Sequence, residues 1–158
     1  MAKASKRARS KPIVQPQYFI FEIGEMQPTY ILSVDHDRYR KHSYSEHAGI
    51  EFDANCVFPQ NLEGRSVSFV LAGQRDFLTP EAFKQDQSWK PRCIGALEIR
   101  SDRAAFYATV PHESLPFLAT LFTSREVRYA LLYGEPLSRG KSLCVSMQLE
   151  KSVNLEDY

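Results

Sequence analysis

Cysteine is scarce in this sequence, and the scarcity limits the chemistry open to the protein. Only three cysteines occur: Cys56, Cys93 and Cys144. An odd number at wide spacing does not build a disulfide framework, and no C-x-x-C or Cys/His pair has the spacing of a zinc site. The sequence therefore predicts no metal and no other cofactor, and it favours a reducing, cytoplasmic environment.

Long apolar runs and catalytic signatures are also missing. No run approaches the roughly 20 residues that a membrane-spanning helix needs, and no apolar segment follows the basic N-terminus as in a secretory signal. There is no nucleophile elbow and no glycine-rich phosphate loop. These absences favour a non-enzymatic protein that does not enter a membrane. An enzyme of unrecognised type ranks third among the functions considered below.

Charge is nearly balanced overall but is unevenly placed. The net charge of the 158 residues is +1. The first eleven residues hold five basic side chains and no acid, namely Lys3, Lys6, Arg7, Arg9 and Lys11, which leaves fifteen basic against nineteen acidic residues in the remainder. We therefore expect a disordered basic arm over residues 1–16, a single β-rich globular domain over 17–152 and a loose acidic tail over 153–158.

Alternation of polar and apolar residues predicts a mainly β fold. Runs with a period of two indicate strands at about 17–24, 29–35, 44–58, 65–71, 92–100, 104–110, 126–133 and 142–150. Gly24 and Pro28 bound a short segment that is typical of a hairpin loop between the first two strands. Because consecutive strands usually pair, we expect an antiparallel barrel or sandwich of about seven or eight strands.

Two short helices complete the predicted fold. Thr79 and Pro80 form a typical helix start. The apolar residues Leu115, Leu118, Ala119 and Phe122 recur at helical spacing and predict a helix at 115–123.

The alternation along each strand and the helical spacing also predict which residues form the core. Buried positions should include Phe52, Phe69, Leu97, Phe106, Leu118, Tyr129, Leu131 and Val145. Cys56 and Cys93 lie on apolar phases, whereas Cys144 lies on the opposite phase, where solvent could reach it.

A row of polar side chains on one strand is the candidate binding site. His47, Glu51, Asp53 and Asn55 occupy odd positions of the strand at 44–58, so they share one face. Such a row could contact a ligand or a partner, and it is also typical of the solvated face of an antiparallel sheet. No motif identifies catalytic residues or metal ligands among them.

Two functions follow from these patterns. The first is a non-enzymatic interaction module that binds a protein partner, because solvent and core account for most of the polarity pattern. The alternative is a nucleic-acid-associated protein that contacts phosphates through the basic arm, since the remainder of the chain is acidic. The oligomeric state does not follow from the sequence.

Overall fold

A closed barrel of seven strands dominates the structure, a computed structural model that describes residues 15–34, 44–75 and 93–158. The strands are β1 (Gln17–Val34), β2 (Tyr44–Phe58), β3 (Ser66–Gln74), β4 (Gly95–Ile99), β5 (Ala104–Pro111), β6 (Tyr129–Gly134) and β7 (Lys141–Glu150), and the helix α1 spans Leu115–Thr123. Their order around the barrel is β1-β2-β3-β5-β4-β7-β6, with β6 returning to β1. The predicted mainly β class is confirmed. Of the two predicted architectures, barrel and sandwich, the structure has the barrel.

One strand pair departs from the antiparallel pattern. β3 and β5 run parallel, whereas every other pair among the described strands is antiparallel. The prediction of an antiparallel barrel is therefore wrong at this pair. The physical reason is that β4 and β5 form an antiparallel hairpin, and β5, not β4, lies beside β3. Of the two predicted helices, the one at 115–123 is present as α1, and the one that starts at Thr79 lies outside the described residues.

The first strand is continuous where the sequence predicted a hairpin loop. Ile23 lies opposite Ala54 and Met26 opposite Phe52, so one extra residue is accommodated as a β-bulge at Gly24. A Cβ atom on Gly24 would lie 2.7 Å from the carbonyl oxygen of Asp53, which leaves no room for a side chain. Pairing with β2 thus carries the chain straight through the Gly and Pro residues that locally resemble a turn.

Aromatic rings fill the barrel. The ring of Phe69 lies 4.7 Å from that of Phe52, 5.1 Å from Phe21 and 5.2 Å from Phe106, measured between centroids. α1 closes one end, where Phe122 lies 4.9 Å from Phe52. Ring pairs at these separations add to the free energy of burial. In the described part of the chain, no helix is long and apolar enough to cross a membrane.

Most predicted core residues are buried, with one clear exception. Phe52, Phe69, Leu97, Phe106 and Leu131 are buried, and Leu118 and Tyr129 are half-buried. Val145 is 49% exposed, so its predicted burial is wrong. The register of β7 shifts between Cys144, opposite Gly134, and Ser146, opposite Tyr133, which leaves Val145 as an extra residue and reverses the phase. For the same reason Cys144 lies inside the barrel and not on the reachable side.

The outer surface of β1 and β6 is buried as well. Ile20 and Leu131 pair there with exposures of 0% and 1%. The C-terminal residues form a 3₁₀ turn at Leu155–Asp157, and the ring of Tyr158 lies 4.7 Å from that of Tyr18 on the same outer face. The segment predicted as an acidic tail therefore packs against the β1–β6 part of the barrel.

Candidate functional site

The predicted polar row lies on the outside of the barrel. His47, Glu51, Asp53 and Asn55 are all exposed on β2. Their alternation with the buried residues Ile50, Phe52 and Ala54 explains why they share one face. The structure thus places the four side chains in a line along the strand and does not gather them around one point.

Asp53 is the member of this row that makes a side-chain hydrogen bond within the described residues. The Ser68 hydroxyl donates a hydrogen bond of 2.6 Å to Oδ1 of Asp53. A shallow hollow of about 80 Å³ lies beside it, lined by Glu25, Gln27, Glu51 and Asp53 among others. Across the described ranges, no group of three His, Cys, Asp or Glu side chains has the arrangement of a metal site. The hollow is therefore an open acidic surface.

Two of the cysteines are poor candidates for nucleophiles. Cys56 and Cys144 are buried, and burial raises the pKa of each thiol from 9.0 to about 11. The thiolate is the reactive form, so its fraction near neutral pH is very small. In addition, Sγ of Cys56 donates to the carbonyl of Phe58 at 3.2 Å. Both residues act as core side chains.

The more distinctive surface is a two-stranded extension of the barrel. β6 pairs with β1 only as far as Glu22, and β3 pairs with β2 only from Gly49 onward. Residues 29–34 of β1 and 44–49 of β2 therefore continue past the barrel as a pair, which we call the ribbon. Tyr30, Ile31 and Leu32 on it are 62%, 53% and 59% exposed. Because consecutive strand residues point to opposite faces, apolar groups are exposed on both sides of the ribbon.

One edge of β1 is open along this extension. In the described part of the chain, no strand pairs with β1 on the side away from β2 after Glu22. Pro28 lies opposite Ile50, and proline is tolerated in a sheet where its nitrogen faces no neighbouring strand. The N–H groups of successive residues point to alternate sides of a strand. Those of Met26 and Leu32 therefore point to the same side as the nitrogen of Pro28. We call it the open edge.

A cleft lies where the open edge begins. Its volume is about 580 Å³, and it separates the β-bulge of β1 from the segment that follows α1. Its apolar lining includes Ile23, Met26, Phe122 and Val127, and the charged residues of its described lining are Glu22, Glu25, Arg125 and Arg128. The guanidinium of Arg128 lies 3.3 Å from a carboxylate oxygen of Glu22. The cleft can therefore hold an apolar group beside a charged one.

No known protein family matches this chain, and neither the curated proteins nor the solved structures include a significant match. Function has to be inferred from the geometry of the described residues. The predicted nucleic-acid contacts Lys3, Lys6, Arg7, Arg9 and Lys11 lie outside those residues.

Sequence patterns missed the ribbon, the open edge and the cleft. The sequence predicts that Tyr30, Ile31 and Leu32 lie in a strand, but a run of three apolar residues is also typical of a strand that is buried on both faces. The uncharged stretch at residues 29–34 was the available signal, because edges that are protected from pairing usually carry a charge.

Proposed function

We propose that this protein is a non-catalytic binding module that recruits an extended segment of a partner protein to the open edge of β1. The segment would add as a further strand beside the ribbon. The observation that carries the proposal is the combination, at residues 29–34, of an edge without a described strand partner and consecutive exposed apolar side chains. Backbone hydrogen bonds would supply affinity, and the side chains on both faces would supply selectivity.

The distribution of protective features along β1 supports this proposal. Exposed edges are commonly blocked by bulges, prolines or charged side chains. The bulge at Gly24 and Pro28 stand at the base of the open edge, whereas residues 29–34 contain neither a proline nor a charge. An uncharged, unblocked edge favours strand pairing along the ribbon, and toward the barrel Pro28 would leave one hydrogen bond of the ladder unmade.

The composition of the surface also favours a protein over other partners. The hollow beside the polar row is lined by Glu25, Glu51 and Asp53, so phosphate groups would be repelled there. The exposed apolar side chains of Ile31 and Leu32, and the N–H groups of Met26 and Leu32 on the open edge, match the chemistry of a polypeptide. His47 lies opposite Ile31 on the ribbon, and Glu51, Asp53 and Asn55 continue the same outer face toward the barrel. These four residues would form a polar border to the docking surface.

Site-specific photo-crosslinking in the cells that make the protein tests the proposal. A photoreactive amino acid at Ile31 should yield one defined adduct, and the same residue at Val145 provides the control because it is a similarly exposed strand position on β7. A second substitution, Leu32→Pro, should abolish the adduct from position 31. Its nitrogen faces the open edge, so proline there blocks an incoming strand without removing a β1–β2 hydrogen bond.

The geometry of the complex gives an independent measurement. When the crosslinked partner is purified and added, amide hydrogen exchange at Met26 and Leu32 should slow, because their N–H groups become bonded to the added strand. Unchanged exchange at both amides would rule out strand addition. An adduct of twice the mass of the chain would identify a second copy as the occupant and would contradict a separate partner.

A further inference from the structure

We infer that the segment bound at the open edge is the C-terminus of its partner, with its terminal carboxylate held by Arg125 and its last side chain in the cleft. The inference rests on the proposed strand addition and specifies its ligand. It is carried by three features that meet at one place: the end of the open edge, the cleft, and an arginine in the lining of the cleft.

The barrel itself sets a stop for the added strand. A strand antiparallel to β1 would lie in line with β6, which occupies the same edge from Glu22 backward. The N–H of Ile23 already donates to the carbonyl of Arg128 at 2.8 Å. An incoming chain therefore cannot continue past this point in the sheet. It has to turn away or end, and a free chain end fits without a further turn.

The direction of the strand determines which end arrives there. β1 runs from the barrel toward the tip of the ribbon, so an antiparallel strand runs from the tip toward the barrel. Antiparallel pairing is also slightly more stable per residue than parallel pairing. The C-terminal end of the segment would thus reach the cleft, where Met26, Phe122 and Val127 offer an apolar surface to its last side chain.

The charges of the cleft suit a carboxylate on one side. Arg128 is engaged with Glu22, and the other charged groups of the described lining are Arg125 and Glu25. Arg125 has a left-handed backbone, with φ of 56°, at the end of α1, and its N–H donates to the carbonyl of Phe122. The turn at the end of α1 thus places Arg125 in the lining of the cleft. A guanidinium binds a carboxylate through two parallel hydrogen bonds, whereas Glu25 opposes the same charge.

Two pools of randomised hexapeptides test the inference, one ending in a free carboxylate and the other in an amide. Each pool is passed over immobilised full-length protein, and the retained peptides are quantified and sequenced. We expect about tenfold greater retention from the carboxylate pool, because a charge-assisted hydrogen bond is lost in the amide. Retained sequences should end in an apolar residue.

Matched variants assign the effect to the cleft. Arg125→Gln should remove the preference for the carboxylate, whereas Arg139→Gln should keep it, since Arg139 has the same left-handed backbone and does not line the cleft. Glu25→Gln should increase retention of the carboxylate pool. Circular dichroism spectra and melting temperatures verify that each variant is folded.

The outcomes separate this inference from the proposed function. Equal retention of both pools that is lost in Leu32→Pro would overturn the carboxylate site and leave strand addition standing. A carboxylate preference that persists in Arg125→Gln would also overturn it. Retention of neither pool by the wild-type protein would contradict both the inference and the proposed strand addition.

Discussion

The two halves of β1 have the same backbone conformation and opposite surroundings. From Gln17 to Glu22 the strand pairs with β6, from Ile20 it also pairs with β2, and Phe19, Ile20 and Phe21 are fully buried. Beyond the bulge it has one described neighbour, and three consecutive side chains are more than half exposed. The first half is therefore part of the structural framework, and the second half is a surface that the framework holds in an extended conformation.

The largest expected effect comes from one substitution made in both halves. Ile20→Ala should lower the free energy of unfolding by about 2–5 kcal/mol, because it deletes fully buried groups and leaves a cavity. Ile31→Ala should change it by less than about 0.5 kcal/mol, since that side chain is 53% exposed. Urea denaturation of the two variants measures both values. A similar loss at the two positions would show that the halves are not distinct.

The bulge that separates the halves should be the next most sensitive point. Gly24→Ala places a Cβ atom 2.7 Å from the Asp53 carbonyl oxygen and forces the backbones of β1 and β2 apart. We expect a loss of about 1–3 kcal/mol, similar to that of overpacking a core. The neighbouring exposed residue supplies a control, because Gln27→Ala should leave the urea midpoint nearly unchanged. No loss in Gly24→Ala would mean that the bulge relaxes freely.

A smaller effect is expected at the outer face of the barrel half. Tyr158→Ala removes an aromatic pair with Tyr18 and should cost about 1 kcal/mol. Tyr107→Ala is the matched control, since Tyr107 is exposed to a similar extent, at 47% against 42%. Thermal unfolding compares the two. Equal melting temperatures would show that the C-terminal residues do not stabilise the β1–β6 surface.

The smallest expected effect concerns the basic N-terminal segment. Deleting residues 1–12 should leave the melting temperature unchanged within error, because the segment has too few apolar side chains to add to a core. The same deletion sharpens the choice of partner. If the full chain binds duplex DNA, the binding should weaken with salt and disappear on deletion, whereas peptide retention at the open edge should persist. Loss of peptide retention would assign that function to the segment.

Local patterns predicted most of the barrel because strand and helix periods are local properties. The strand at 44–58 and the helix at 115–123 have the predicted boundaries. The predictions were wrong where pairing between strands overrides the conformational preference of the local sequence. Gly24 and Pro28 resemble a turn, but pairing with β2 on both sides of them keeps the chain extended. A bulge at Val145 exchanges the inward-facing and outward-facing positions of β7, although the alternation in the sequence is regular.

The candidate site could be predicted only in part for a similar reason. The exposure of His47, Glu51, Asp53 and Asn55 follows from alternation along one strand. The open edge depends on where β6 ends beside β1, and the cleft depends on the path of the chain after α1. These are relations between segments distant in sequence, and no period within one segment encodes them. The parallel pairing of β3 with β5 could not be predicted for the same reason.

The pairing of β1 with β6 has a consequence for synthesis of the protein on the ribosome. Glu22 and Arg128, which form an ion pair at this seam, are separated by 106 residues. The first strand therefore emerges long before β6, and during that interval the edge of β1 that β6 covers is unpaired. Contacts of such long sequence separation slow folding and expose unpaired strands to other chains. We expect the nascent chain to be a substrate for chaperones that bind extended apolar segments until β6 has been translated.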